Sequence, residues 1–290
     1  MKSIRSFKNI RGKVALVRVD FNVPIKNGKV EDDFRIIKAL PTIKFLLKKS
    51  AKVVLITHLG KGGEDLSPIA KSLNKHIKSK FIQDIIGDKA KKAISDMKNG
   101  EVILLENLRN DKGEKECSKD FAKNLASLGD LYVNDAFSVC HREDASIVLL
   151  PKILPSYVGF QLEEEIKYLS KAKNPKHPFL FILGGAKFST KMPLIKKYLK
   201  LADHIFIGGA LLNDFLKAKG YEVGKSLVDN EDYGINKITK NKKIILPDKV
   251  IVKSGDKLLE KKVSEVSKED IILDVSEKSI KDIKDLINHA

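Results

Sequence analysis

The run Val14-Ala-Leu-Val-Arg-Val-Asp-Phe-Asn22 decides the fold. It opens as nearly continuous aliphatic sequence, the mark of a parallel strand covered on both faces, and ends in polar residues where a strand meets a loop. Similar runs recur along the 290 residues, at 14–21, 53–59, 81–83, 102–106, 131–133, 179–183, 204–207, 244–246, 250–252 and 271–273. Amphipathic stretches separate them. Ser67-Pro68 reads as an N-cap followed by a first-position proline, with Ile69, Leu73 and Ile77 on one face. Phe121, Leu125 and Leu128 form a second stripe, and Ile280, Ile283 and Ile287 a third. Strands alternating with helices predict an open parallel sheet.

Length predicts two domains of about 150 residues each. The charged sequence from Gln161, stopped by Asn174-Pro-Lys-His-Pro178, reads as the helix between them, over 161–174. The final helix runs to Asn288-His289-Ala290 with no strand after it, so the second domain reads as incomplete.

The chain has a formal charge of +17, with forty-nine lysines but only six arginines: Arg5, Arg11, Arg18, Arg35, Arg109 and Arg142. Arginine offers a planar fork that matches carboxylate and phosphate oxygens. Two readings stay open: an anion site built by the N-terminal half, or lysine-rich composition with arginines left by chance. The lysines are spread without a like-charged block of five or more, and no nucleic-acid motif accompanies them. Two cysteines argue against a disulfide framework. With no signal pattern and no apolar run of 18 residues, a cytoplasmic location without membrane contact is expected.

Ligands of open α/β sheets bind at the C-terminal ends of strands. There this sequence places Asp20-Phe21-Asn22, Thr57-His58-Leu59-Gly60-Lys61, Glu106-Asn107-Leu108-Arg109 and Asn134-Asp135-Ala136-Phe137, the last just before His141-Arg142. Taken singly, a strand-end Asp or Asn caps a turn more often than it binds a ligand. His58 lacks metal-ligand spacing around it, and no Gly-x-Ser-x-Gly elbow exists. In the second half, Gly184-Gly185-Ala186-Lys187-Phe188-Ser189-Thr190-Lys191 follows a strand, and Gly208-Gly209-Ala210 ends another. Such glycines let a phosphate approach the backbone, although neither common nucleotide fingerprint is matched. A tight glycine turn with solvated lysines explains the same residues.

The motifs Arg18-Val-Asp-Phe-Asn-Val-Pro24, Asp33-Phe-Arg35-Ile36, Thr57-His-Leu-Gly60, Leu105-Glu-Asn-Leu-Arg109, Tyr132-Val-Asn-Asp-Ala-Phe137 with His141-Arg142, and Gly184–Lys191 closely resemble those of the phosphoglycerate kinase family, in order and spacing. The resemblance implies two Rossmann-like three-layer α/β/α domains with parallel sheets, joined by a hinge helix. Residues 1–160 would bind 3-phosphoglycerate or 1,3-bisphosphoglycerate, and residues 175–290, a partial domain, would bind Mg-ADP or Mg-ATP as co-substrate. Phosphoryl would pass reversibly between 1,3-bisphosphoglycerate and ADP.

By motif, Asp20, Phe21 and Asn22 hold the glycerate end. Arg35, His58, Leu59, Gly60, Lys61, Arg109 and Arg142 surround the triose phosphate. Gly184, Gly185, Ala186, Lys187, Lys191, Gly208 and Gly209 serve the nucleotide. Arg35 and Lys187 act on the transferring phosphoryl group, and Arg18 is structural. No metal site of the chain's own and no tightly bound cofactor is implied, and a monomer is expected.

The sequence departs from the family at three points. Lys61-Gly62 replaces Arg-Pro, Asp274-Val-Ser-Glu277 replaces Asp-x-Gly-Pro, and the family's later Trp-Asn-Gly-Pro and Gly-Gly-Gly-Asp-Thr segments are not found. The resemblance therefore covers roughly the family's first three quarters. It implies weak or no turnover, with a 3-phosphoglycerate-binding module or half of a split enzyme completed by a C-terminal chain as the alternative.

Overall fold

A computed structural model describes residues 2–229 and 233–288. His289 and Ala290, where the last helix was expected to finish, lie outside the described residues. Two compact units result, Met1–Ser170 and Lys171–Ala290.

In the first unit the aliphatic runs become β1 (Val14–Arg18), β2 (Lys52–Ile56), β3 (Lys80–Ile82), β4 (Val102–Leu105), β5 (Leu131–Asn134) and β6 (Ser156–Val158). They form one parallel sheet in the order β3-β4-β2-β1-β5-β6. Because successive strands move from β1 first to one side and later to the other, the order reverses beside β1, where α/β sheets hold ligands. Arg18 pairs in register with Ile56 on one side and Asn134 on the other, so three strands end level.

Alternate residues of each strand enter opposite cores. Val17, Val53 and Val133 pack on one face with Ile36, Ile43 and Leu46 of α1 (Phe34–Lys48) and with Ile69 and Leu73 of α2 (Ser67–Leu73). Leu16, Val54 and Tyr132 pack on the other with Phe121 and Leu125 of α3 (Lys119–Ala126), and Leu128 just beyond it joins them. Strand β1 is shorter than the expected 14–21, because beyond Arg18 the chain turns into the loop that builds the edge. Strand β6, three residues after Pro155, carried no run long enough to register. Helix α2 starts with Ser67 inside it: Leu66 occupies the cap position, and Asp65 accepts the Ser67 amide. The helix α4 (Phe160–Lys171) carries the chain out of this unit.

The second unit has a parallel sheet, β9-β8-β7, from β7 (Leu180–Leu183), β8 (His204–Ile207) and β9 (Ile244–Ile245). The segments at 250–252 and 271–273 do not join it. They belong to β10 (Lys249–Ser254) and β12 (Asp270–Val275), which have no parallel partner; β10 is the central strand of a separate sheet, antiparallel to β12 on one side and to β11 (Lys257–Lys262) on the other. A tight turn through Gly255, at φ +59°, reverses β10 into β11. With Gly-Asp between the two strands, this is a hairpin signal. The third expected stripe does fall on a helix, but its residues are not buried. In α6 (Glu277–Asn288) Ile280 and Ile287 are 42% and 50% exposed. Buried Ser279 faces inward instead and donates to the Lys249 carbonyl at 3.0 Å.

Candidate functional site

Arg18, the last residue of β1, is wholly buried. Its guanidinium is consumed by neighbours: Nε donates to Ser146 Oγ at 3.1 Å and Nη1 to the Val19 carbonyl at 2.8 Å, while Nη2 lies 3.1 Å from His58 Nδ1. The Glu114 carboxylate stands 4.0 Å from Nη2. Arg18 is therefore scaffolding beneath the edge, and His58 lies directly above it.

Burial pulls the His58 pKa down to about 2, reinforced by the charges of Arg18, Arg109, Arg142 and Arg35. Four of the six arginines thus converge on one imidazole, and that imidazole is neutral. Arg109 lies in the turn after β4, held through Asn107. The Asn107 Oδ1 accepts the amides of Leu59 and Arg109, and its Nδ2 donates to the carbonyls of Leu59 and Glu64. Arg109 Nη1 donates to the Gly60 carbonyl, and Nη2 is 3.7 Å from Asp144 Oδ2. Its Nε and Nη2 have no hydrogen-bond partner among the described residues. Burial and the nearby Arg142 lower its pKa. Such guanidinium donors suit an anion, and their like-charge neighbours disfavour leaving them alone.

Arg35, near the start of α1, pairs with Asp20 Oδ2, which also accepts from Ser138 Oγ. A cavity of about 360 Å³ opens there, lined by Asp20, Arg35, Lys38, Phe137, Ser138 and Gln161 among others. Asn22 Oδ1 accepts the Gly60 amide at 3.2 Å. Gly60 itself is constrained: it has φ +55°, and a Cβ would sit 1.9 Å from Glu64 Oε1. Glu64 in turn holds the amides of Lys61 and Gly62.

Asp20, Asn22, Arg35, His58, Gly60, Arg109 and Arg142 are thus brought to one sheet edge. Phe21 and Leu59 are not presented there. Both side chains are core residues, with their amides taken by Thr57 and Asn107. Lys61 is an exposed point charge. The motifs do not mark Glu64, Glu114, Ser138 or Ser146: Glu64 acts on its own loop through Lys61 and Gly62, and the other three are ordinary polar residues made significant only by distant partners.

In the second unit Leu183 and Ile207 pair in register, so Gly184-Gly185 and Gly208-Gly209 leave the sheet side by side. The Leu211 amide donates to the Gly185 carbonyl at 2.8 Å, and a Cβ on Gly209, at φ +59°, would lie 2.9 Å from the Gly185 nitrogen. Only glycine fits so close a backbone approach. Lys187 caps α5 (Phe188–Leu201), whose first amides point out of the helix as an anion site requires. Lys191 crosses Gly185, its Cε 3.1 Å from where a Cβ would stand. Among the described residues, no group of three His, Cys, Asp or Glu side chains could hold a metal ion, and no helix is long and apolar enough to cross a membrane.

Fold and site define a Rossmann-like α/β protein with a cationic edge on one sheet and paired glycine turns on the other. The phosphoglycerate kinase family model matches residues 4–290, and the chain belongs to that family of kinases. It is 48% identical to the phosphoglycerate kinase of Aquifex aeolicus, over 77% of this chain and 59% of that protein. Identity to the phosphoglycerate kinase of Coprothermobacter proteolyticus is 41%, over 100% and 78%. Among solved structures, phosphoglycerate kinase from Pyrococcus horikoshii matches with TM-score 0.88 at 30% identity, covering 99% of this chain and 78% of that one. The chain therefore spans 59% of the Aquifex relative and 78% of the Coprothermobacter and Pyrococcus ones.

Proposed function

We propose that the chain serves reversible phosphoryl transfer between 1,3-bisphosphoglycerate and ADP, giving 3-phosphoglycerate and ATP. Residues 1–160 take the triose, residues 161–174 connect, and residues 175–290 take Mg-ADP or Mg-ATP, the magnesium entering with its nucleotide. The observation that carries this reading is the convergence of Arg18, Arg35, Arg109 and Arg142 on a neutral His58 at one strand edge.

The chemistry suits such a site. The carboxylate that attacks or leaves is already anionic near neutral pH, so no general base is required, and a histidine that cannot take a proton is no handicap. Positioning and charge neutralisation are what transfer needs. Asp20 and Asn22 hold the glycerate end, and Arg109, Arg142 and His58 hold the phosphate. Arg35 exchanges Asp20 for the transferring phosphoryl group. Lys187 steadies that group from the nucleotide side, while Lys191 and the turns at Gly184-Gly185-Ala186 and Gly208-Gly209 receive nucleotide phosphates. Two free thiols, Cys117 and Cys140, support a cytoplasmic setting.

Calorimetric titration with 3-phosphoglycerate and with Mg-ADP, each alone, tests the division. Arg109→Met should abolish the triose signal and spare the nucleotide signal, and Lys187→Met should do the reverse. Triose binding that survives Arg109→Met sinks the assignment.

A further inference from the structure

His58 reaches its place through three buried groups that the reaction itself does not use. Arginine has only donors, so the nitrogen 3.1 Å from Arg18 Nη2 must be an acceptor. Nδ1 therefore carries the lone pair and Nε2 the proton. Arg18 is aimed by Ser146, which accepts from Nε and passes its own proton toward Glu114 Oε1 at 2.6 Å. The Ser146 amide fills the other carboxylate oxygen at 2.9 Å. Arg18 and Glu114 are both fully buried, and Ser146 comes from a helix 128 residues away from Arg18 in sequence. Burial raises the Glu114 pKa, while Arg18 and Ser146 oppose that rise by stabilising the ionised form.

At the other end of the ring, no hydrogen bond joins His58 Nε2 to a described residue, so that nitrogen is left for a ligand. The charged groups around it are Arg18 below and Arg35, Arg109 and Arg142 about it, with Asp20 beside Arg35 and Asp144 beside Arg109.

We propose that Glu114 is a positioning residue: through Ser146 and Arg18 it fixes His58 as the Nε2–H tautomer, a neutral donor aimed at the anionic ligand. This rests on the triose-phosphate reading of the edge. An imidazolium here would turn an Nδ1–H against an Arg18 N–H and add a charge to a site already crowded with them. A neutral N–H supplies a hydrogen bond without either penalty. The network thus sets which nitrogen faces the ligand, a choice that an isolated histidine would leave to pH and chance.

Two-bond ¹H–¹⁵N correlation on histidine-labelled protein reads the tautomer directly. His58 should show a bare Nδ1 and a protonated Nε2, unchanged from about pH 5 to about pH 8. Glu114→Gln and, separately, Ser146→Ala should let a second tautomer or a titration enter that range. Each should weaken 3-phosphoglycerate binding about tenfold, the worth of one hydrogen bond, and Glu114→Asp should restore part of both. A wild-type His58 that titrates near its ordinary value, or a tautomer unmoved in both variants, overturns the proposal. Binding of 3-phosphoglycerate that leaves the Nε2–H signal unshifted also overturns it. No binding at all by calorimetry refutes instead the triose-phosphate reading, and the ligand-free tautomer measurement still decides the role of Glu114.

Discussion

Two buried groups at the sheet edge pull the acid stability of the first unit in opposite directions, and removing each should expose the other. His58 has its pKa held at about 2 in the fold against an ordinary 6.5. Below about pH 6.5 the unfolded chain therefore binds a proton that the folded chain refuses. Stability falls with falling pH by about 1.4 kcal/mol per unit. Asp135 is raised from 3.8 to about 6, chiefly by burial. Its Oδ1 accepts the Leu162 amide at 3.1 Å at the start of α4, while Oδ2 has no hydrogen-bond partner among the described residues. Between about pH 6 and pH 4 the folded chain binds the proton and the unfolded chain does not, so stability rises by about the same amount per unit as pH falls.

In the wild type the two slopes nearly cancel over that window. His58→Gln should leave the Asp135 gain uncovered, making the first unit about 2–3 kcal/mol more stable at pH 4 than at pH 6 relative to wild type. Asp135→Asn, which keeps an acceptor for the helix amide, should show the opposite slope. Amide hydrogen exchange at Val17 and Val133, in the core strands β1 and β5, reports unfolding of this unit alone. Other carboxylates titrate equally in all three proteins. Parallel pH slopes in the three would refute the burial argument for both groups.

Other perturbations have equally direct readouts. Arg109→Lys keeps a charge but loses the fork that reaches Gly60 and lies beside Asp144, so 3-phosphoglycerate affinity should fall roughly 10- to 100-fold, as calorimetry would show. Gly209→Ala places a Cβ 2.9 Å from the Gly185 nitrogen at a positive φ; about 1–3 kcal/mol of stability should go, with Mg-ADP binding weakened and triose binding spared. Gly60→Ala drives a Cβ into Glu64, so the Lys61 and Gly62 amides should lose exchange protection and triose binding should weaken with them.

Much of this molecule is legible in its sequence because the first sheet is buried on both faces. Runs such as Val14–Arg18 and Val102–Leu105 are then nearly pure aliphatic, and their polar ends mark the edge. Arginine scarcity pointed to the same place. What stayed hidden is of two kinds. Strand β11 is Lys-Leu-Leu-Glu-Lys-Lys, an exposed hairpin arm whose pairing comes from its turn and from β10 rather than from any apolar pattern. The wiring of the site is the other kind. Arg18 meets Ser146, and Asp20 meets Ser138, across more than a hundred residues, and nothing local marks those serines or Glu114. Phe21 shows the converse: it stands inside the motif at the end of β1, yet the loop beyond Arg18, pinned by the Phe21 amide donating to Thr57 Oγ1, turns its ring into the core.

The central claim is that the edge formed by β1, β2, β4 and β5 is the triose-phosphate site. Amide chemical-shift mapping of 3-phosphoglycerate on the ¹⁵N-labelled chain tests it most directly. Saturable shifts are expected at Asn22, Gly60, Arg109 and Arg142, with Gly184–Lys191 and Gly208–Gly209 unmoved. Shifts confined to the glycine turns, or spread over surface lysines without saturation, would contradict it.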